Sequence, residues 1–330
     1  MSATDVLPSA APVVAANPPA DSFGQRLVPA GDPLSGATFD AIFEGKIKPE
    51  LIKCEAGRKS AMRTFFLAVA AGLLLIFLEF AVLPSLIHRG PPDWVWIITG
   101  VGALIIGYLP VQAVANTAKK GVIQALCEPI AVNYQLSGGT PPAFDTFLKL
   151  RLLPSPSDKS FEDFFSGRRG DVDFSLCEAR LTQGSGKNRH TVFAGQIFRL
   201  TMPKKRLATT VVLRNIGWFK HFECPKGLEP VGLEDPVFNK AFAVFGNDQV
   251  EAREILTPTF MQHLVDLETA YKGGHIRYAF TDADLLIALE SSDRYEIGHM
   301  FSTLVERKRV EGIAHDLEQL FKLVDAFAVT

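Results

Sequence analysis

Two apolar stretches decide the architecture of this chain: FFLAVAAGLLLIFLEFAVLPSLI at Phe65–Ile87 and WVWIITGVGALIIGYLPVQAVA at Trp94–Ala115, joined by the hexapeptide HRGPPD. At about 1.5 Å per helical residue each run reaches roughly 33–35 Å, enough to cross a hydrocarbon core of about 30 Å. The joining hexapeptide is too short to hold a domain. The pair therefore reads as a transmembrane hairpin, with everything else on one side of a membrane. The alternative is a buried helical hairpin in a soluble protein, where two adjacent runs of this length are rare.

Charge flanks orient the hairpin. Lys46, Lys48, Lys53, Arg58, Lys59 and Arg63 precede the first run, and Lys119 and Lys120 follow the second. The turn between them carries only His88 and Arg89, opposed by Asp93. Lys and Arg concentrate on the cytoplasmic side, so both termini are expected in the cytoplasm. Trp94 and Trp96 stand at the outer edge of the second run, where amphipathic rings favour the interface. Glu79 lies inside the first run, five residues before Pro84. Such a carboxyl is a functional candidate by default; it reads as reaching the headgroups or as sitting protonated against the second run, ahead of a transport site. Gly100, Gly102, Ala103 and Gly107 would let the two helices approach closely.

The chain has 330 residues and a formal net charge of −2, so no global field favours nucleic acid. The roughly 215 residues after the hairpin can bury a real core. Cys54, Cys127, Cys177 and Cys224 are widely spaced, form no CxxC pair and face a reducing compartment, so disulfides are not expected. The first 36 residues, rich in Ala and Pro, lack a basic start and an apolar core and read as a disordered tail without a cleavable signal.

Phe39–Arg63 looks helical, with Phe39, Ile42 and Phe43 on one face and Gly45 and Pro49 as breaks. Ala118–Gln135 should continue the second run as an amphipathic helix interrupted near Pro129. Ser137–Pro142 is a turn, Phe144–Leu150 a short helix and Pro154–Lys159 a loop. From Asp171 the apolar period becomes two through Val172, Phe174 and Leu176, then shifts phase to Ala179 and Leu181, which suggests a bulge or twist. GSGKN (184–188) is a hairpin loop; Val192, Ala194, Phe198, Leu200 and Met202 mark the next strand face, and Thr209–Leu213 and Ala241–Gly246 two more. Thr257 is a natural N-cap with Pro258 at the first helical position, and Phe260, Leu264, Leu267 and Tyr271 share a face that ends at Gly273–Gly274. Ile276, Tyr278 and Phe280 alternate, as do Leu285, Ile287 and Leu289 around the turn Thr281–Asp284. Ile313, Leu317, Leu320, Val324 and Phe327 form a closing helical stripe. The expected class is α+β: a two-helix transmembrane hairpin, then a cytoplasmic domain with a mostly antiparallel sheet and flanking helices. The expected divisions are a tail at 1–38, a helical segment at 39–63, the hairpin at 64–116, a helical connector at 117–160 and the α+β domain at 161–330.

The segment LEDPVFNKAFAVFGNDQVEAREILTPTFM (233–261), with SFEDFFSGRRGDVDFSLCEARL and VFAGQIFRL upstream and FKLVDAF at the end, resembles the bacterial domain of unknown function 3137 family. The likeness covers roughly residues 45–330 and extends to the layout of a membrane-helix hairpin followed by a cytoplasmic domain. The resemblance implies a bacterial inner-membrane location and no established activity. Genes of the family often lie near those of LemA-type membrane proteins, so the resemblance also implies a shared envelope function, with a LemA-type protein as one candidate partner. The chain departs from the family at Glu254, where an aromatic is common after Ala-Arg, and at Ala283, where Gly is common. The first casts doubt on a special role for that aromatic; the second suggests a turn other than the tight type that wants Gly.

Asp248, Glu251 and Arg253 cluster between a strand and a helix. They read either as a polar site, with a carboxylate as base or ligand and Arg253 as anion holder, or as an ion pair fixing the turn before Thr257. Lys204, Lys205 and Arg206, with Arg168 and Arg169, could rest on anionic lipid or be ordinary solvated loops. His190, His221, His263, His275, His299 and His315 include no i, i+4 pair; His221 and Cys224 supply two ligands at most, so no metal is expected. GSGK (184–187) has Leu181 and Asn188 where a phosphate loop needs Gly and Ser or Thr. No catalytic residue and no cofactor is assigned. The favoured function is a non-enzymatic anchored module that binds a protein or lipid partner, as scaffold or sensor. The alternative is a membrane-tethered enzyme, a hydrolase, using the groups around Asp248–Arg253. Partners are the bilayer and a membrane or cytoplasmic protein, with no nucleic acid; homo-oligomerisation stays open, and a transporter would require it.

Overall fold

A computed structural model describes residue 34 and residues 36–81, 92–201, 205, 208–215, 224–270, 275–291, 295 and 302–328. Helix α1 (Gly36–Ile42), a π-helical turn (Phe43–Ile47) and α2 (Lys48–Ala81) run as one helix of 46 residues. Gly45 and Pro49 do not break it, contrary to the sequence expectation. The Lys48 N–H bonds to the Phe43 carbonyl, the i to i+5 pattern of a π-turn. That widened turn sits immediately before Pro49, where the missing N–H and the ring would otherwise disrupt an α-helical ladder. The second long helix, α3 (Asp93–Cys127), ends in a 3-10 turn over Glu128–Ile130 that contains Pro129, the interruption expected there.

Both long helices are apolar enough to cross a membrane. Their outer lengths are exposed: among the described residues, every exposed large apolar side chain except Ile52, Val237 and Val250 lies between Phe66 and Leu109. Their other ends are embedded. Phe43, Ile47, Leu51 and Cys54 on one side, and Ala118, Val122, Ile123 and Leu126 on the other, belong to the main core. The helices meet through small residues. A Cβ on Gly72 would stand 2.5 Å from Ala103 Cβ, and one on Gly107 would stand 3.1 Å from Phe65 Cα. Gly100 faces Ile76, whereas Gly102 has no neighbour within 4 Å and takes no part in the contact.

Nine described strands form one sheet: β1 (Asn133–Ser137), β2 (Asp158–Arg169), β3 (Val172–Gln183), β4 (His190–Thr201), β5 (Thr210–Arg214), β6 (Glu229–Val231), β7 (Phe242–Gly246), β8 (Ile276–Thr281) and β9 (Asp284–Glu290). The order is β1-β2-β3-β4-β9-β8-β5-β7-β6, and the recorded pairings are antiparallel. The remaining helices are α4 (Phe144–Lys149), α5 (Pro236–Ala241), α6 (Gln249–Ile255), α7 (Pro258–Ala270) and α8 (Arg307–Ala328). The molecule is thus α+β, with an antiparallel sheet and two long apolar helices. Strand β1 and the start of β2 fall inside the stretch 117–160 that was expected to be a helical connector, and Asn133–Gln135 is strand, not helix.

Both faces of the sheet are covered, by different partners. One core joins Tyr134, Phe165, Phe174, Leu200, Tyr278 and Ile287 to the bases of α2 and α3 and to Ile313, Leu317, Phe321 and Val324 of α8. The other joins Leu181, Phe193, Ile197, Val211, Phe245 and Leu286 to Phe144 and Phe147 of α4 and to Leu152 and Leu153. This explains the phase shift in β3. Val172, Phe174 and Leu176 enter the first core, and Cys177, Ala179 and Leu181 the second. The strand stays paired residue for residue with β4 from Asp173 to Leu181. The shift is therefore a change of covered face, and the only irregularity in that pairing falls later, between Leu181 and Thr182.

Several expectations hold in detail. Thr257 Oγ1 accepts from the Phe260 N–H at the start of α7, and Phe260 and Leu264 are buried. Tyr271 and Gly273–Gly274 lie outside the described residues. Strands β8 and β9 join through a two-residue turn in which Thr281 pairs with Asp284. The turn is short despite Ala283, because its left-handed position is Asp282, at φ +53°, a residue type that tolerates that conformation.

Candidate functional site

A corner of the second sheet face is left open beside β1. The registers Asn133↔Ser166, Ser166↔Ser175 and Ser175↔Arg199 align these four side chains in one row across β1, β2, β3 and β4. The next row on the same face is Arg168, Asp173, Thr201 and Asp284, since alternate residues of a strand share a face. Together they make a polar floor. Arg199 Nε donates to Asp284 Oδ2 at 2.8 Å, and Thr201 Oγ1 donates to Asp284 Oδ1 at 3.0 Å. Arg168 lies 3.6 Å from Asp173.

Six residues of this floor, Asn133, Ser166, Asp173, Ser175, Arg199 and Thr201, line a groove of about 990 Å³. Its walls are Phe164, the turn Gly138–Pro142 and the last turns of α3 at Gly121, Gln124, Ala125 and Glu128. Close backbone approach shapes it, because a Cβ on Gly138 would stand 2.9 Å from the Phe164 ring. The mixture of hydroxyls, a neutralised guanidinium and aromatic walls suits recognition of a ligand with polar and apolar parts.

Behind the groove a buried polar cluster ties the sheet to α3. Lys119 Nζ is 2.7 Å from Asp163 Oδ2, and the Tyr134 hydroxyl donates to Asp163 Oδ1 at 2.6 Å. All three residues are buried. Asp163 holds φ +52° at the irregularity between Glu162 and Phe165 in β2, a bulge that re-aims its side chain. Burial pushes the Asp163 carboxyl above the usual range, opposed by the charge and hydrogen bond of Lys119. Burial, with the Asp163 charge, also pushes the Tyr134 phenol up, so it remains a donor. Sequence reading missed this cluster: Lys119 counted only as a flanking charge, and β2 was not recognised because its bulge interrupts the alternation.

The residues singled out from sequence are placed as follows. Asp248 caps α6, accepting from the Val250 and Glu251 N–H groups. Glu251 Oε2 accepts from the Ala208 N–H at 3.2 Å, while Oε1 is buried with no hydrogen-bond partner among the described residues. Arg253 donates to the Gly232 carbonyl at 3.3 Å and to Gln249. Each of the three therefore serves local backbone structure: a cap, a loop clasp and a helix-to-loop tie. Lys205 is exposed, 4.0 Å from Asp282; Lys204 and Arg206 lie outside the described residues. Arg169 is not a surface cation. It is buried, donates twice to Asp325 at 2.5 and 2.6 Å, and lies over the Phe321 ring at 5.0 Å, clamping α8 to β2. All four cysteines are free thiols. Among the described residues no three His, Cys, Asp and Glu side chains gather to hold a metal.

Residues 191–329 match the family model described as a protein of unknown function, DUF3137. No curated protein matches the chain. Among solved structures, the mycobacterial trehalose monomycolate transport factor A, TtfA, is similar at 10% identity and a TM-score of 0.31, covering 61% of this chain and 93% of that one. At that score the likeness carries no argument.

Proposed function

We propose that this chain, whose residues 191–329 match the DUF3137 family model of unknown function, is a bacterial inner-membrane protein that holds a binding groove close to the inner leaflet. Helices α2 and α3 cross the membrane as a hairpin, and both termini lie in the cytoplasm. The sheet domain binds a protein or lipid partner there, as a scaffold or sensor. The observation that carries this reading is the continuity of α3. Its outer part, from Trp94 to Leu109, exposes large apolar side chains. Its last turns line the groove. At about 1.5 Å per residue, Gly121 stands roughly 9 Å and Cys127 roughly 18 Å beyond Ala115 along one rigid helix. A partner in the groove is therefore met at a set height above the bilayer. A LemA-type membrane protein is one candidate, and a second copy of the chain is another.

The experiment is photo-crosslinking in native membranes from a reactive group placed at Ser175 in the groove, against a control at Lys187 in the β3–β4 loop. A reproducible adduct specific to Ser175, identified by mass spectrometry as lipid or protein, is expected. Identical background from both positions would overturn the groove as the binding site. Retention of the chain in the pellet after alkaline carbonate extraction tests the anchor separately.

The polar groups at Asp248, Glu251 and Arg253 support the enzyme alternative less well, because each is already committed to capping α6 or tying adjacent loops.

A further inference from the structure

Glu79 of α2 and Thr99 of α3 meet across the helix pair. Thr99 Oγ1 lies 2.9 Å from Glu79 Oε1 and 3.1 Å from the Val95 carbonyl oxygen. The Val95 oxygen can only accept, and the threonine hydroxyl owns a single proton. If Glu79 were ionised, that proton would have to be shared between two acceptors. If Glu79 carries a proton on Oε1, both contacts are satisfied: the carboxyl donates to Thr99 Oγ1, and the hydroxyl donates to the Val95 carbonyl. The second oxygen, Oε2, is buried with no hydrogen-bond partner among the described residues. A carbonyl-like oxygen tolerates that isolation far better than half of a carboxylate does.

Within the described apolar stretches of the two helices no opposite charge stands beside Glu79. Across 64–81 of α2, Glu79 is the only acidic or basic residue; across 94–118 of α3 there is none, and the other titratable group is Tyr108, nine residues past Thr99. The one charged residue of α3 nearer to Thr99 is Asp93, a like charge that opens the helix. His88 and Arg89 lie outside the described residues.

We propose that Glu79 holds a proton inside the helix pair, donating it to Thr99 and stapling α2 to α3. The inference rests on the membrane reading above for the apolar surroundings, although the proton count at Thr99 does not depend on it.

The test is carbodiimide modification of the full chain in native membranes at pH 7. The acid proton passes to a carbodiimide nitrogen, and the carboxyl oxygen adds to the central carbon. The O-acylisourea then rearranges to a stable N-acylurea without a leaving group. Apolar dicyclohexylcarbodiimide is expected to label Glu79, read as a modified peptide by mass spectrometry, with labelling that vanishes in Glu79→Gln. A charged, water-soluble carbodiimide with an amine acceptor should leave Glu79 unlabelled while modifying exposed Glu229. Glu79→Gln, which keeps a neutral donor, should express and sediment with membranes like the parent. Labelling of Glu79 by the soluble reagent, or by neither reagent, would overturn the proposal. Release of the chain by alkaline carbonate would instead overturn the membrane reading.

Discussion

Lys119 Nζ of α3 stands 2.7 Å from Asp163 Oδ2 at the bulge of β2, and both residues are buried. This contact links a long apolar helix to the sheet that floors the groove. A buried pair stabilises little relative to an apolar replacement, but losing one member leaves an uncompensated charge in the core. Lys119→Met is therefore expected to destabilise the chain by roughly 3–5 kcal/mol. Tyr134→Phe, which removes one donor from Asp163, should cost about 1–3 kcal/mol. Denaturant unfolding in detergent checks both, and Lys119→Met combined with Asp163→Asn should cost less than the sum of the single changes.

Acid should loosen the contact between α2 and the segment before α8. Glu55 accepts from Arg58 at 2.6 and 3.0 Å and from the Leu304 N–H at 3.1 Å. The Arg58 hydrogen bond, aided by that of Leu304, holds its carboxyl below the ordinary value of 4.5. The unfolded chain therefore binds this proton more readily than the folded one. The stabilisation is present above pH 4.5 and is lost as pH falls through the depressed value. Hydrogen exchange at Leu304 should rise on acidification in the parent, and Glu55→Gln should show the faster exchange already at neutral pH.

Arg169→Ala should free the end of α8. The guanidinium is buried against Phe321 and bonds twice to Asp325, whereas Asp325 is half-exposed and can be rehydrated. The expected loss is about 1–3 kcal/mol, seen as earlier proteolytic cleavage within α8.

Filling the groove should separate binding from stability. Ser166, beside Ser175 on the floor, is half-buried and lines the groove. Ser166→Trp should abolish the groove-specific crosslink from position 175 while thermal unfolding stays within about 1 kcal/mol of the parent.

Thiol modification should follow burial. Cys127 and Cys177 are nearly inaccessible, and burial pushes both thiols well up. Cys224 is the one cysteine not buried. Iodoacetamide on the native protein should modify Cys224 first, and the others only after denaturant is added.

Local chemistry was readable wherever a residue answers to its neighbours in sequence. Thr257-Pro258 announced the start of α7, and Ile276, Tyr278 and Phe280 announced β8. Reading failed where burial comes from two directions. Phe193 and Ile197 of β4 face the second core while Phe198 and Leu200 face the first, so no single alternation describes the strand. The groove floor was equally hidden. Ser166, Ser175 and Arg199 are unremarkable one by one and become neighbours only through strand register.

By itself, the sequence determined the two long apolar helices, the caps and turns that bound most elements, and the α+β class. These follow from periodicity, length and the preferences of single residues, which act over a few positions. Tertiary structure alone decided which sheet face each half of β3 buries, that Lys119 meets Asp163, that Arg169 is a clamp and not a surface charge, and that Thr99 faces Glu79. The reason is physical. Local pattern encodes how much of an element is buried, but the partner is selected by strand order, bulge geometry and helix contact, which join residues far apart in the chain.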